Sequence, residues 1–291
     1  MSDILILPLI AAALAAIACG SVGTLTLVRR NTYVAGAVSH SVLAGLGLAQ
    51  FLSVVHRITW FTPTFGAILA AIAAALAIVY IQSGKQGDND AALSAVWAVG
   101  MAMGMGFMSI TPGYQADLMN YMFGSILLVS PGDVQTMFAL DVFIAIALAF
   151  CWRGILSVSF NNRLASARGV KTTFFETVIS ILTAIAVVLL VKIVGIVLVI
   201  ALLTLPAMAA RNLFRRLVPM MAAAMIIAFA SMAIGIGASW YGDLQPAAPI
   251  VLSAALFAVI THAVKCLLQA SRIRNAKHLA DATSPPRFSE G

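Results

Sequence analysis

The stretch RRNTYVAGAVSHSVLAGLGL, residues 29–48, places an imidazole, His40, between two serines, Ser39 and Ser41, inside a run that is otherwise apolar. Two chemistries suit such a histidine. Neutral imidazole is a common ligand for zinc and similar ions, and it also relays protons. A third reading is structural, a hydrogen bond to a neighbouring helix. The remaining candidates are scattered. His56 falls at the outer end of the same run, His262 lies late in the chain, and His278 sits in the C-terminal stretch. None makes an HExxH or paired-His spacing. Asp141 lies within an apolar run and is expected to make an interhelical hydrogen bond. Asp117 and Asp133 bracket a segment of intermediate polarity. Cys19, Cys151 and Cys266 are far apart and form no CxxC pair, so neither a disulfide framework nor a cysteine-rich zinc site is expected.

The elements that carry these residues can be read from composition. Of 291 residues, 62% are hydrophobic and only 9% charged, against roughly 25% charged in soluble domains. The apolar residues come in blocks about 20 long, the length that crosses a ~30 Å hydrocarbon layer as helix. Nine spans are predicted, over 4–28, 33–55, 61–82, 91–110, 134–152, 172–191, 193–210, 217–238 and 248–269. The first contains Asp3 just ahead of it and no basic start, so it reads as a span rather than a signal peptide. Lys192 divides two runs that are nearly one. The 111–133 stretch is too polar to span and too apolar for an ordinary loop, which suggests a re-entrant or interfacial helix.

With the N-terminus outside and nine crossings, all but Arg57 and Lys192 of the 17 Lys and Arg residues fall on the inner side. That asymmetry is the one the positive-inside rule requires. It accounts for the net charge of +7 without invoking nucleic acid. Counting from Arg30, His40 lies about 15 Å along its helix, near the middle of the bilayer, where an unpaired polar group is costly and faces a cavity or partner. Ser39, Ser41, Gly36, Ala44, Gly45 and Gly47 share that helix, and small residues let helices approach closely. Pro206, in LLTLPAMAAR (202–211), is expected to kink or break the seventh span. The longest inner connection, SVSFNNRLASARGV (157–170), is basic and amphipathic, suited to a partner protein or to anionic lipid. Residues 271–291 end in a Ser/Pro-rich stretch and are expected to be a disordered cytoplasmic tail.

The chain lacks energy-coupling chemistry of its own. Gly84–Lys85 is followed by Gln86 and has no upstream glycine, so no phosphate-binding loop forms, and no nucleophile–base arrangement stands out. It is read as a transport subunit and not an enzyme.

Three stretches in order resemble one family, the membrane permeases of bacterial zinc and manganese ABC importers. RRNTYVAGAVSHSVLAG (29–45) is similar to the family's RR-x-x-[FY]-x-G-D-[AT]-[LV]-[SA]-H-[AS]-x-L-x-G. DLMNYMFGS with VSPGDV (117–134) is similar to its DL-x-x-[YL]-[LM]-FG segment and the V-[ST]-x-x-D-[LV] just after it. VKIVGIVLVIALLTLPAMAAR (191–211) is similar to K-x-VG-x-[LI]-[LI]-x-x-[AS]-LL-x-x-PA-x-x-AR. A fourth stretch, the 154–170 connection, occupies the place of the family's coupling helix.

The resemblance implies an all-α polytopic fold of about eight to nine transmembrane helices, like that of type II ABC importer permeases. It divides the chain into a permease domain, 1–270, and a tail, 271–291. It implies a multi-pass homodimer in the bacterial inner membrane, N-terminus outside and C-terminus cytoplasmic. Two cytoplasmic ATPase subunits and an external metal-binding protein would be its partners. Zinc is the first expected cargo and manganese the second, carried through without a stably bound cofactor. His40 would mark the metal path. On this chain's own residues, Ser39 and Asp117 are further candidate ligands and Pro206 a candidate gating kink. Ser159, Phe160, Arg163, Leu164, Arg168 and Gly169 would couple to the ATPase.

Two departures stand out. The family's aspartate four residues before the histidine is Gly36 here, and its acidic FDPELA reads FNNRLA (160–165). The first keeps import of a metal chelate open beside a bare ion. A secondary transporter remains a further alternative, with chiefly Asp141 to serve it.

Overall fold

The computed structural model describes residues 2–58, 60–82, 89–112, 122, 124, 126–160 and 162–283. Its helices are α1 (Ser2–Val28), α2 (Thr32–Val54), α3 (Pro63–Gln82), α4 (Asn89–Ser109), α5 (Pro131–Phe160), α6 (Asn162–Ala167), α7 (Thr172–Val194), α8 (Val199–Leu213), α9 (Leu217–Gly242) and α10 (Ala247–Thr283), with a 3₁₀ turn at Ile126–Leu128. No strand occurs among the described residues. Seven of the helices are long and apolar enough to cross a membrane, and Leu93–Ser109 and Val199–Leu213 are shorter apolar helices. The fold is the all-α polytopic bundle anticipated from the sequence.

The centre of the bundle is α7. Leu182–Val191 is buried on every side, as expected of a helix that is apolar all round. It packs on α3, α1, α5 and α2. Two-thirds of its most apolar window (67%) is buried, against 22% for α5 and α10, which therefore form the periphery. On one flank α2 lies between α3 and α4. On the other, α1 packs against α8 and α9, with α10 beyond them.

Helices in lipid gain little from hydrophobic contact with one another, so close backbone packing has to hold them. Gly100 and Gly104 lie four apart on one face of α4. A Cβ at Gly100 would fall 2.6 Å from both Cα and Oγ of Ser41, and one at Gly104 would fall 2.7 Å from the carbonyl carbon of Leu43. The two backbones are in contact. Ser41 donates a hydrogen bond to Ala37 O within α2 (2.9 Å) and reaches Val96 O across the interface (3.4 Å). Gly45 of α2 and Gly66 of α3 meet in the same way on the opposite side.

Four boundaries differ from the sequence expectation. The break between the sixth and seventh spans lies at Gly195–Leu198 and not at Lys192. Lysine is a good helix former, whereas Gly195 takes φ +82°, a conformation that ends a helix. Pro206 sits inside α8, which continues across it to Leu213. α5 runs on to Phe160, past the expected end at 152, so the 157–170 region is part long helix and part α6. α10 continues to Thr283, into the stretch expected to be disordered. Nearly half of 111–133 lies outside the described residues. Near 122–126 the chain is tucked inward, while Leu128 is exposed. Ile126 is fully buried, Gly124 abuts Gly195, and Val197 N donates to Met122 O (3.4 Å).

The α2–α4 contact yields a direct test. Gly100→Leu is expected to destabilise the purified protein by about 1–3 kcal/mol, the usual cost of overpacking. Gly106→Leu, where an added Cβ meets nothing within 4 Å, should not. Melting temperatures in detergent compare the two, and equal values would mean that α2 and α4 are not in close contact.

Candidate metal path and coupling surface

His40 lies two turns into α2 and is half-buried. Its ring stacks on Trp97 of α4, centroids 4.4 Å apart and planes 18° from parallel. Neither ring nitrogen has a hydrogen-bond partner among the described residues. The stack covers a face of the imidazole.

One turn earlier, Gly36 puts no carboxylate on the face of α2 that His40 shares. A Cβ there would lie 2.8 Å from Cδ1 of Ile200 and 2.9 Å from Cζ3 of Trp97. The volume in which a carboxylate would stand is filled by an indole and an isoleucine. Ser39 does not compensate. It is fully buried and its hydroxyl donates to Gly36 O (2.8 Å) in its own helix. Asp117 lies outside the described residues. Among the described residues no group of three or more His, Cys, Asp or Glu side chains is placed to hold a metal.

Trp97 is the neighbour that residue-by-residue reading missed. A signal for it existed. Trp97, Gly100 and Gly104 recur at i, i+3 and i+7, so they share the face of α4 that meets α2.

The other candidates are dispersed. Asp133 is engaged at the start of α5. Ser130 Oγ donates to Asp133 Oδ2 (2.9 Å), that oxygen also accepts from Ser130 N–H (3.2 Å), and Asp133 N–H points back to Ser130 Oγ (3.2 Å). This reciprocal pairing caps the helix. Asp141 is 5% exposed, and neither carboxylate oxygen has a partner among the described residues. The expected interhelical hydrogen bond is therefore not formed. His56 sits edge-on to Phe51 (5.5 Å) and His262 lies beside Cys266 (3.7 Å), both away from His40.

At the basic end of the bundle, α5 gives way to the single turn and a half of α6. Gly169 takes φ +78°. Gly169 N–H donates to Ser166 O (3.0 Å) and Val170 N–H to Ala165 O (3.1 Å). This is a Schellman ending, for which glycine is the favoured residue. Phe160 and Leu164 stand 63% and 49% exposed. They border a hollow of about 240 Å³ shared with Arg168. Arg168 is exposed too, whereas Ser159 is buried with its hydroxyl unpartnered among the described residues. The Arg163 side chain lies outside the described residues.

One carboxylate ties this surface to the start of the histidine helix. Glu176 Oε1, in the first turns of α7, accepts from Asn162 Nδ2 of α6 (2.5 Å) and from Arg29 Nη2 (3.4 Å) at the end of α1. Burial disfavours the charge of Arg29, and Glu176 opposes that effect. Arg29 immediately precedes the turn that opens α2, so α6, α7 and the α1–α2 corner meet on one oxygen.

Comparison with known proteins identifies the family. Residues 1–265 match the model of the ABC 3 transport family. The chain is 29% identical to the manganese transport system membrane protein MntC of Halalkalibacterium halodurans, over 86% of this chain and 84% of that one. It is 25% identical to the high-affinity zinc uptake system membrane protein ZnuB of Haemophilus influenzae, over 90% and 97%. Among solved structures it superposes on PsaBC from Streptococcus pneumoniae, in complex with Fab, with a TM-score of 0.78 at 26% identity, over 89% of this chain and 90% of that one. The chain thus belongs to the ABC 3 transport family, as a membrane permease of the zinc and manganese importer type.

Proposed function

We propose that the chain is the permease subunit of an ATP-driven importer in the bacterial inner membrane, and that its cargo is zinc, with manganese the second candidate. The observation that carries this choice is His40, an imidazole within α2 that has Gly36 where a carboxylate would share its face and no metal-binding cluster around it among the described residues. Imidazole suits zinc, whereas carboxylate and carbonyl oxygens suit manganese. Relatives named for each metal leave the choice to the site itself. The ion passes along the path that His40 borders and is held there only in transit. Pro206, within a continuous α8, gives that helix a site of flexure and not a break.

The partners are a cytoplasmic ATPase, an external metal-binding protein and a second copy of the chain. The N-terminus lies outside and the C-terminus in the cytoplasm. Phe160, Leu164 and Arg168 face the ATPase, with Arg163 on the same short helix. Gly169 terminates that helix, and Ser159 supports it from inside. Asn162, Glu176 and Arg29 then carry ATPase movement to the α1–α2 corner and on to His40. The relay runs through the Asn162–Glu176 hydrogen bond and the Arg29–Glu176 ion pair.

A second reading, import of a metal chelate, is favoured by the lack of three convergent metal-binding side chains among the described residues. A tetrahedral zinc site needs four ligands, and a chelator would bring its own.

Radiolabelled zinc uptake separates these readings in cells carrying the permease with its ATPase and binding protein. His40→Ala, at unchanged expression, is expected to lower uptake about tenfold or more, the scale seen when metal-site groups are lost. Normal uptake in the variant would make His40 a packing residue. Uptake of chelated but not free ion would transfer the proposal to the second reading.

Glu176→Ala is expected to uncouple the importer. ATP hydrolysis by the reconstituted complex should persist while zinc uptake falls several-fold. A parallel loss of both activities, or of neither, would rule out the relay.

A further inference from the structure

We propose that Trp97 is the gate and the selectivity element of the path at His40. The inference rests on the reading that cargo passes His40, and it adds a residue and a filtering principle to it.

Three observations converge on the indole. It lies flat on the imidazole at 4.4 Å, so an ion approaching that face of His40 meets the indole first. It also fills the space above Gly36, together with Ile200. The backbone behind it is fixed, because α4 contacts α2 directly at Gly100 and Gly104. Helix withdrawal would break that packing. Opening is therefore a rotation of the Trp97 side chain, with Ile200 yielding from α8, the helix that succeeds the interruption at Gly195–Leu198.

This geometry sets the chemistry of the filter. Among the described residues, His40, Trp97 and Ile200 offer a passing ion an imidazole and apolar surface. A cation must exchange hydration water for imidazole nitrogen and an aromatic face, which attracts cations through its quadrupole. A borderline ion with high affinity for nitrogen, such as zinc, tolerates that exchange. A hard ion such as manganese, which favours oxygen donors, does not. Removing the indole would admit water and relax the discrimination. It would also free the space above Gly36 for an oxygen ligand.

The test is competitive uptake of zinc and manganese by proteoliposomes containing the permease with its ATPase and binding protein. The proteins compared are wild type, His40→Ala, Trp97→Phe, Trp97→Ala and the double variant Gly36→Asp/Trp97→Ala. The zinc-to-manganese ratio is expected to fall about tenfold or more in Trp97→Ala, the scale of a discrimination set by pocket contacts. It should stay near wild type in Trp97→Phe, which keeps an aromatic face. It should fall furthest in the double variant. Gly36→Asp alone should transport poorly, since its Cβ meets Trp97 and Ile200.

An unchanged ratio in an active Trp97→Ala importer overturns the gate while leaving His40 as the path, provided His40→Ala is defective. Equal zinc uptake by wild type and His40→Ala removes the underlying reading, and the gate with it. If Trp97→Ala proves unstable by its melting temperature, Trp97→Leu replaces it, retaining bulk without the ring. An unchanged ratio in that variant is equally fatal.

Discussion

The contact between the backbones of α2 and α4 is the constraint on which the functional part of this molecule depends. In a lipid environment, apolar side chains gain little by choosing one another over acyl tails. Register and rotation must come from shape. Gly100 and Gly104 supply a smooth face, and Ser41 adds a hydroxyl that bonds its own helix and reaches the next. Once α4 is seated this way, Trp97 has one place to go, over His40 and Gly36. The same close approach repeats between α2 and α3 at Gly45 and Gly66, so α2 is packed closely on both sides.

Mechanical connection runs through α7. Its fully buried middle anchors the bundle, while its first turns carry Glu176, where α6 and the end of α1 converge. A rigid central helix with a polar junction at one end suits transmission. In the proposed coupling, movement of the short α6 would reach the corner before α2 through that junction. The exposed Phe160 and Leu164 beside that junction leave apolar surface at the basic end of the bundle, where an isolated chain has no use for it.

Gly36 links the two themes. Its lack of a side chain is an architectural feature, since the space is taken by Trp97 and Ile200 and not left empty. A carboxylate–imidazole pair and this packing exclude each other. The two arrangements would present different donors to a passing cation.

Residue types and their order were enough to specify the polytopic all-α class, the number and rough position of the spans, the basic face and the family resemblance. Each of these depends on local hydropathy or on short motifs, which the chain carries regardless of how it folds. The tertiary structure alone decided what stands next to what. Among the described residues Asp141 lacks the partner expected of it, and Asp133 is engaged in a helix cap. The chain breaks at Gly195 and not at Lys192, and runs on through Pro206. The stack of Trp97 on His40 and the meeting of Arg29, Asn162 and Glu176 join residues far apart in the chain. Such contacts depend on how each helix is rotated about its axis, and that rotation is set by small residues packing against a neighbour, a relation between two segments that neither segment's sequence contains.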